Sequence, residues 1–457
     1  MEDHNHNCIV TEARRLFALA WPVMLTSLNW TVMHLIDVAI VGHAGTGELA
    51  ALAAGRALTF ITIVIGVAAL SGIIVFTSRH DGAGERHRCG AVLRQGLICA
   101  LLLGVPAALL MRLWATEITR GIGIAPELVS AGADVVRVMA LAFPAQLVLT
   151  AIAYFLEGAS RPGRAMIVNL VMLPLNALLA WAWVGGHLGL PAQGAVGAVS
   201  ATAVVSALGM VMMGVAVWTL PDARLMGARD LSMRAWLASA RAAPALMRFG
   251  IVPGIASGLE MAGFSLLIAL STRLGVVATD AFQAVFSLHN FTFALAIGMA
   301  SAAGVRAGNA VGEGNPRAAL PRTLIAVGLA LIGMGMIVGL YLTFAQPLAM
   351  LFSDRPDVRL LTVALLSALA PFTLFDGIQL VFVYALRSLG DQVAAGVNGV
   401  IAFFLITGGL GWWLVVQQGE GPFALVTAAA SGMVAAAVLQ GFRFYRVSRR
   451  TSRRSSD

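Results

Sequence analysis

The chain has 457 residues, 59% of them hydrophobic and 11% charged, with a mean hydropathy of +0.86. That balance excludes an ordinary soluble domain and a disordered chain, and it defines a polytopic membrane protein. All thirty Lys+Arg positions are arginines, and the net charge of +8 points to anionic lipid headgroups at a membrane surface rather than to nucleic acid.

The first fifteen residues, MEDHNHNCIVTEARR, are polar and hold no hydrophobic signal core, so no cleaved leader is expected. His4 and His6 there could bind a metal, but a solvated tail is the simpler reading. Twelve apolar segments then follow, at residues 16–41, 49–76, 91–114, 132–156, 165–186, 193–218, 247–272, 281–305, 320–345, 361–386, 394–416 and 421–442. The hydrocarbon core offers no water to backbone polar groups, so such segments must be helices. If the amino terminus is cytoplasmic, 23 of the 30 arginines fall on internal segments. By the positive-inside rule both termini are then cytoplasmic, which an even number of spans satisfies. Cys8, Cys89 and Cys99 show no paired spacing, so neither a disulfide framework nor a metal knuckle is expected.

The chain repeats itself with a period near 230 residues. Pro22 in the first span matches Pro253 in the seventh. Gly82 and Gly84, in DGAGERHR, match Gly312 and Gly314, in VGEGNPRA. GASRPGRAMIVN from Gly158 lies opposite RSLGDQVAAGVN from Arg387. Each half holds six spans and enters the membrane the same way, the parallel kind of repeat whose transport path lies between the halves. The expected organisation is a tail at 1–15, a six-helix lobe at 16–218, a linker at 219–246, a second lobe at 247–442 and a basic tail at 443–457.

Buried acids carry the functional signal. Glu260 lies near the middle of the uncharged run FGIVPGIASGLEMAGFSLLIALST, and Asp376 near the middle of the tenth span. A carboxylate at that depth is costly and marks an ion or substrate pathway, although an internal hydrogen bond that pins helices would also retain one. Two acids at similar depth in one half are better explained by a shared proton or cation site, where Gln379 could orient one of them. Phe264, one turn beyond Glu260, could border a bound cation or serve as packing bulk. Asp37 lies late in the first span, with His34 one turn earlier as a proton relay or a satisfied core residue. None of the three acids has an evident basic partner in the sequence. Gly250, Gly254 and Gly258 form a small stripe suited to close helix packing. Pro22 and Pro253 remove backbone donors and either allow bending or set static kinks.

These residues resemble the multidrug and toxic compound extrusion transporters, in their NorM-like branch. The carrying motifs are IDVAIVGHAGTGELAALAAG at Ile36, FLEGASRPGRAMIVNLVMLPLN at Phe155, GAVGAVSATAV at Gly194, GVRAGNAVGEGNPRAA at Gly304 and FDGIQLVFVYALRSLGD at Phe375. The resemblance implies an all-α integral membrane protein, with twelve transmembrane helices in two pseudo-symmetric six-helix lobes, V-shaped around a central cavity. It implies a monomeric antiporter of the bacterial inner membrane that expels organic, often cationic, drugs and dyes in exchange for H+ or Na+, without another cofactor. Carried onto this chain, the coupling acids are Glu260, Asp376 and Asp37, with transient Na+ at Glu260 and Asp376. The lining residues are Phe264, Gln283, Asn176 and Thr202. Where relatives place a second polar residue four positions after the asparagine, this chain has Ala180, which breaks the amino-terminal sodium cage.

Two other classes compete. A flippase for lipids or lipid-linked oligosaccharides would hold several buried cations, whereas only Arg56 and Arg137 lie well inside spans. A membrane enzyme would need a clustered His and Asp or Asp-rich constellation, and none is present. GEGNP at Gly312 lacks the lysine of a phosphate-binding loop, so no ATP chemistry is expected.

Overall fold

The computed structural model describes residues 2–121 and 124–454, with side chains for 9–121 and 124–450. His4, His6 and Cys8 lie outside the residues whose side chains are described. No strand occurs among the described residues, and twelve helical segments are long and apolar enough to cross a membrane. In chain order these spans are Ile9–Ala44, Thr46–Gly82, Arg86–Leu113, Pro126–Gly158, Pro162–Gly185 and Gly194–Trp218, then Met233–Arg273, Val276–Gly312, Pro316–Thr343, Pro356–Leu389, Gln392–Gln417 and Phe423–Arg450. Each coincides with a segment expected from hydropathy. The chain is a multi-pass membrane protein.

By packing, the chain divides into two compact units, one of Leu28–Gly254 and the other of Met1–Ser27 with Ile255–Asp457. The divisions fall inside the first and seventh spans, just after Pro22 and Pro253 respectively. Both prolines sit within continuous helix, Glu2–Ala44 and Met233–Arg273. The first half of segment 219–246 is a run of turns, whereas from Met233 onward it belongs to the helix of the seventh span.

In the Leu28–Gly254 unit the fourth span runs through the centre, burying Phe143, Leu147, Phe155 and Leu156 against Leu70, Ile73, Met172 and Met213. Close helix approach depends on glycine: a Cβ on Gly250 would stand 1.7 Å from the carbonyl oxygen of Ala69, and one on Gly254 would meet Ile65 O at 3.1 Å. Two glycines of the expected stripe are therefore contact points. The turns after the sixth span are held by Arg94, whose Nη1 donates to the carbonyls of Gly227 at 2.8 Å and Asp230 at 3.1 Å. The start of the sixth span is closed by Glu48, which accepts the Ala195 N–H at 2.7 Å and so places a negative charge at a helix N-terminus.

In the other unit the beginning of the first span packs on the eighth to tenth, with Leu16 and Ala20 against Ala296, Met299, Ala303 and Val381. A two-pronged ion pair of Arg306 with Glu12, at 2.6 and 2.7 Å, fixes this contact where both side chains are buried. Two spans here are irregular. The tenth breaks at a 3-10 turn, Ala370–Phe372, and resumes as the helix Thr373–Leu389. Pro371 explains the break, because it donates no backbone hydrogen bond. The eleventh carries two π-helical stretches, Val400–Gly408 and Trp413–Gln417, a geometry that concentrates at functional sites.

The repeat is visible in the turns. Gly84 and Gly314 share φ +72, and each precedes a 3-10 turn, Arg86–Arg88 and Pro316–Ala318. After the fourth and tenth spans, Ser160 and Gly390 take positive φ, and the next residues, Arg161 and Asp391, donate back to Leu156 O and Leu386 O. Ser160 is thus equivalent to Gly390. The sequence alignment of this turn was therefore one residue out, because a left-handed turn position tolerates serine in one half and glycine in the other, and identity alone slid to the wrong neighbour.

Candidate functional site: two clusters of buried acids

Asp376 is the first acid placed. It lies in the opening turn of the helix that resumes after the break at Pro371, the end of a helix at which a negative charge is favoured. It is 3% exposed. Its Oδ1 accepts Gln379 Nε2 at 3.1 Å. Its Oδ2 stands 3.8 Å from His289 Nε2, beyond hydrogen-bond distance but within ion-pair range.

Glu260, on the seventh span, is half-buried and makes no hydrogen bond or ion pair among the described residues. Phe264, one turn further on, stacks on His289 at 5.8 Å, and His289 stands 3.8 Å from Asp376, so the two acids share one neighbourhood, which Arg387 also enters from the tenth span. The Glu260 carboxylate rests on the backbone of the eleventh span, where a Cβ on Gly399 would stand 1.9 Å from Oε1. That glycine immediately precedes the π-helical stretch. Asp376, Gln379, Val383 and Arg387 recur at three- and four-residue intervals and so line one helix face. The Arg387 Nε is buried without a hydrogen-bond partner, while its guanidinium lies 5.5 Å from the centre of the Tyr384 ring.

Aromatic rings wall this site. Phe264 contacts Phe286, Phe403 and His289 with ring centres 5.7, 5.4 and 5.8 Å apart. His289 also touches Phe286 and Phe293, and its Nδ1 is buried without a partner. Gln283 is exposed, and its backbone carbonyl accepts from Ser287 Oγ at 2.8 Å. The structure thus brings Glu260, Asp376, Gln379 and Phe264 together and leaves Gln283 on an exposed face of the eighth span.

The second cluster is built around Asp37, which is fully buried. Its Oδ1 accepts Asn176 Nδ2 at 2.7 Å, and Thr202 Oγ1 approaches Oδ2 at 3.4 Å. The expected trio of Asp37, Asn176 and Thr202 is assembled. Thr202 has one proton to give, and Ala198 O at 3.2 Å is nearer than either Asp37 Oδ2 or Asn176 Oδ1, both at 3.4 Å. Ala180 is completely buried and offers no oxygen. His34 contributes its carbonyl, which accepts Arg56 Nη1 at 3.3 Å, while its ring lies against Trp30.

One sequence expectation is corrected here. Asp37 does have a basic partner: Arg56 Nη2 donates to its Oδ2 at 2.5 Å. Arg56 stood out in the sequence as a cation inside a span, but the second span shows no sign of which acid it would face. His289 and Arg387 were also missed. The signal for His289 was its three- and four-residue spacing from Phe286 and Phe293 on the eighth span.

A membrane protein of twelve spans, built from two halves that repeat, with acids held inside each packed unit, is the class that fold and site define. The MatE family model matches the chain twice, at residues 22–182 and 254–413. The chain belongs to the MatE family. It is 31% identical to the probable multidrug resistance protein NorM of Caulobacter vibrioides, over 90% of this chain and 87% of that one. It is 28% identical to the multidrug resistance protein PmpM of Pseudomonas aeruginosa, over 97% and 93%. Among solved structures, the eukaryotic MATE transporter AtDTX14 superposes with a TM-score of 0.87 at 19% identity, covering 98% of this chain and 99% of that one.

Proposed function

We propose that the protein is a secondary active antiporter that exports organic, often cationic, compounds in exchange for H+ or Na+. The observation that carries this reading is the state of Glu260 and Asp376: Glu260 makes no hydrogen bond among the described residues, Asp376 accepts one neutral amide, and the two are linked through Phe264, one turn from Glu260, whose ring stacks on His289 beside Asp376. A buried charge without a hydrogen-bonded partner is costly, so the pair favours whatever cation can reach it. Phe264 and the rings around it offer negative faces to an organic cation beside those acids. A drug and a coupling ion that compete for the same carboxylates are exchanged, and no covalent chemistry is required. The names of the relatives, multidrug resistance proteins over nearly their whole length, support this assignment.

The proposed setting is the bacterial inner membrane, with both termini cytoplasmic, in a monomer that needs no cofactor beyond the coupling ion. A flippase for lipids or lipid-linked oligosaccharides is less well supported. Of the two arginines that stand out in the sequence as lying well inside spans, Arg56 is paired with Asp37, and Arg137 is partly exposed and pairs with Asp134 at 2.6 Å. No uncompensated basic cavity results from them. The deciding experiment reconstitutes the protein in liposomes and imposes a pH gradient or a sodium gradient separately while a cationic dye is followed. Dye movement driven by either gradient supports antiport. Movement under neither, together with translocation of a labelled lipid, overturns it.

A further inference from the structure

The two acid clusters look alike in sequence, yet their charge balances differ. Glu260 has no hydrogen-bonded partner, and Asp376 has only the neutral amide of Gln379 within hydrogen-bond distance. Asp37 is satisfied on both oxygens, by Asn176 on Oδ1 and by the Arg56 guanidinium on Oδ2. Ala180, wholly buried beside them in the fifth span, adds no further ligand.

We propose that Arg56 is a built-in counter-ion that fills the amino-terminal cluster in place of an exchanging cation. The inference rests on the antiporter reading and deepens it: ion exchange takes place at Glu260 and Asp376, while Asp37 serves to hold Arg56. Three features of the geometry carry it. First, an arginine does not lose its proton under any condition a cell provides, so the cation beside Asp37 is permanent. Second, the guanidinium is anchored at two points, to Asp37 Oδ2 and to the His34 carbonyl, so it is held against the first span rather than left to swing away. Third, the Arg56 side chain is 16% exposed and that of Asp37 1%, so water screens neither partner effectively. A second cation entering this cluster would meet a like charge at contact distance with little solvent between them. At the carboxy-terminal pair no arginine is hydrogen-bonded to either carboxylate among the described residues, so their oxygens are not already taken by a guanidinium.

The test counts ions. The full-length protein is purified in detergent, and a saturating cationic dye is added in weak buffer. Before the dye is added, the cations that the sodium-free protein takes up, sodium at saturation and protons on lowering the pH in separate titrations, are measured and summed, and this total is the count compared between variants. Arg56→Gln frees the Asp37 carboxylate and is expected to raise the total by one ion per protein, whereas Arg56→Lys keeps the charge and leaves the parental total. The combined variant Asp37→Asn with Arg56→Gln returns the count to the parental value, and it decides the matter if Arg56→Gln alone fails to fold. An unchanged or lower total in folded Arg56→Gln, or one ion fewer in the combined variant, overturns the proposal. A separate arm protects the distinction between the two readings. If Glu260→Gln with Asp376→Asn displaces as many ions as the parent, the antiporter assignment itself fails, whatever happens at Arg56.

Discussion

Asp376 and Asp37 are buried to nearly the same degree, but their neighbours give them opposite tasks. Asp376 is supported by a helix start and one amide, and Glu260 nearby by no direct donor, so neutralising either should remove a charge that the transport cycle uses. Glu260→Gln and Asp376→Asn are each expected to reduce gradient-driven dye efflux to passive leak, with elution profile and melting temperature preserved. Normal pumping by both variants would refute the site. Asp37→Asn should fail differently. It leaves the Arg56 guanidinium buried without its anion, a loss on the order of 3 kcal/mol for a pair of this kind. A clear drop in melting temperature is expected, largely recovered when Arg56→Gln is added. If Asp37→Asn melts like the parent, the pair contributes nothing to the fold.

At the scale of elements, small residues set how closely helices approach. Gly250 lies against a carbonyl of the second span, so Gly250→Ala must push two helices apart, at a cost of about 1–3 kcal/mol. Gly339, in the ninth span, faces open space, and Gly339→Ala should be neutral or slightly stabilising by the usual advantage of alanine in helices. Equal melting shifts for the two would show that close approach at Gly250 is not limiting. Gly399→Ala is a local probe of the site, because the new methyl would occupy the place of the Glu260 carboxylate. Weaker dye binding in a well-folded protein is expected, and unaltered affinity would mean that this carboxylate position is not the one used. The 3-10 break before Asp376 was hidden in the sequence. Pro371 announced an interruption, but only the backbone path shows that the acid opens the resumed helix.

For the whole molecule, the arginine distribution makes a claim about sidedness. With all cysteines replaced, single cysteines at Ala83→Cys and Arg317→Cys, in the two equivalent turns, should react with an impermeant thiol reagent only in inside-out vesicles. Labelling of one turn from each side would break the parallel repeat. The two family-model matches, one per half, agree with that repeat. The packing units nonetheless divide inside the first and seventh spans, just past matched prolines. A proline frees the carbonyl four residues earlier, and that property is legible in sequence. Which unit each part of the helix then packs with is not.

Helix number and the repeat were written in the sequence because they follow from local rules: hydropathy over a membrane thickness, charge in loops, turn residues at fixed spacing. Those rules act within one segment at a time. The partners of the acids were decided by tertiary structure alone. Arg56 meets Asp37 from a neighbouring helix, His289 reaches Asp376 from the eighth span, and Gly399 makes room for Glu260 from the eleventh. Such meetings depend on how helices rotate and cross, which is set by packing over the whole unit. The same carboxylate chemistry therefore reads identically along the chain, and only the fold separates an acid hydrogen-bonded to an arginine from a pair whose oxygens no arginine holds.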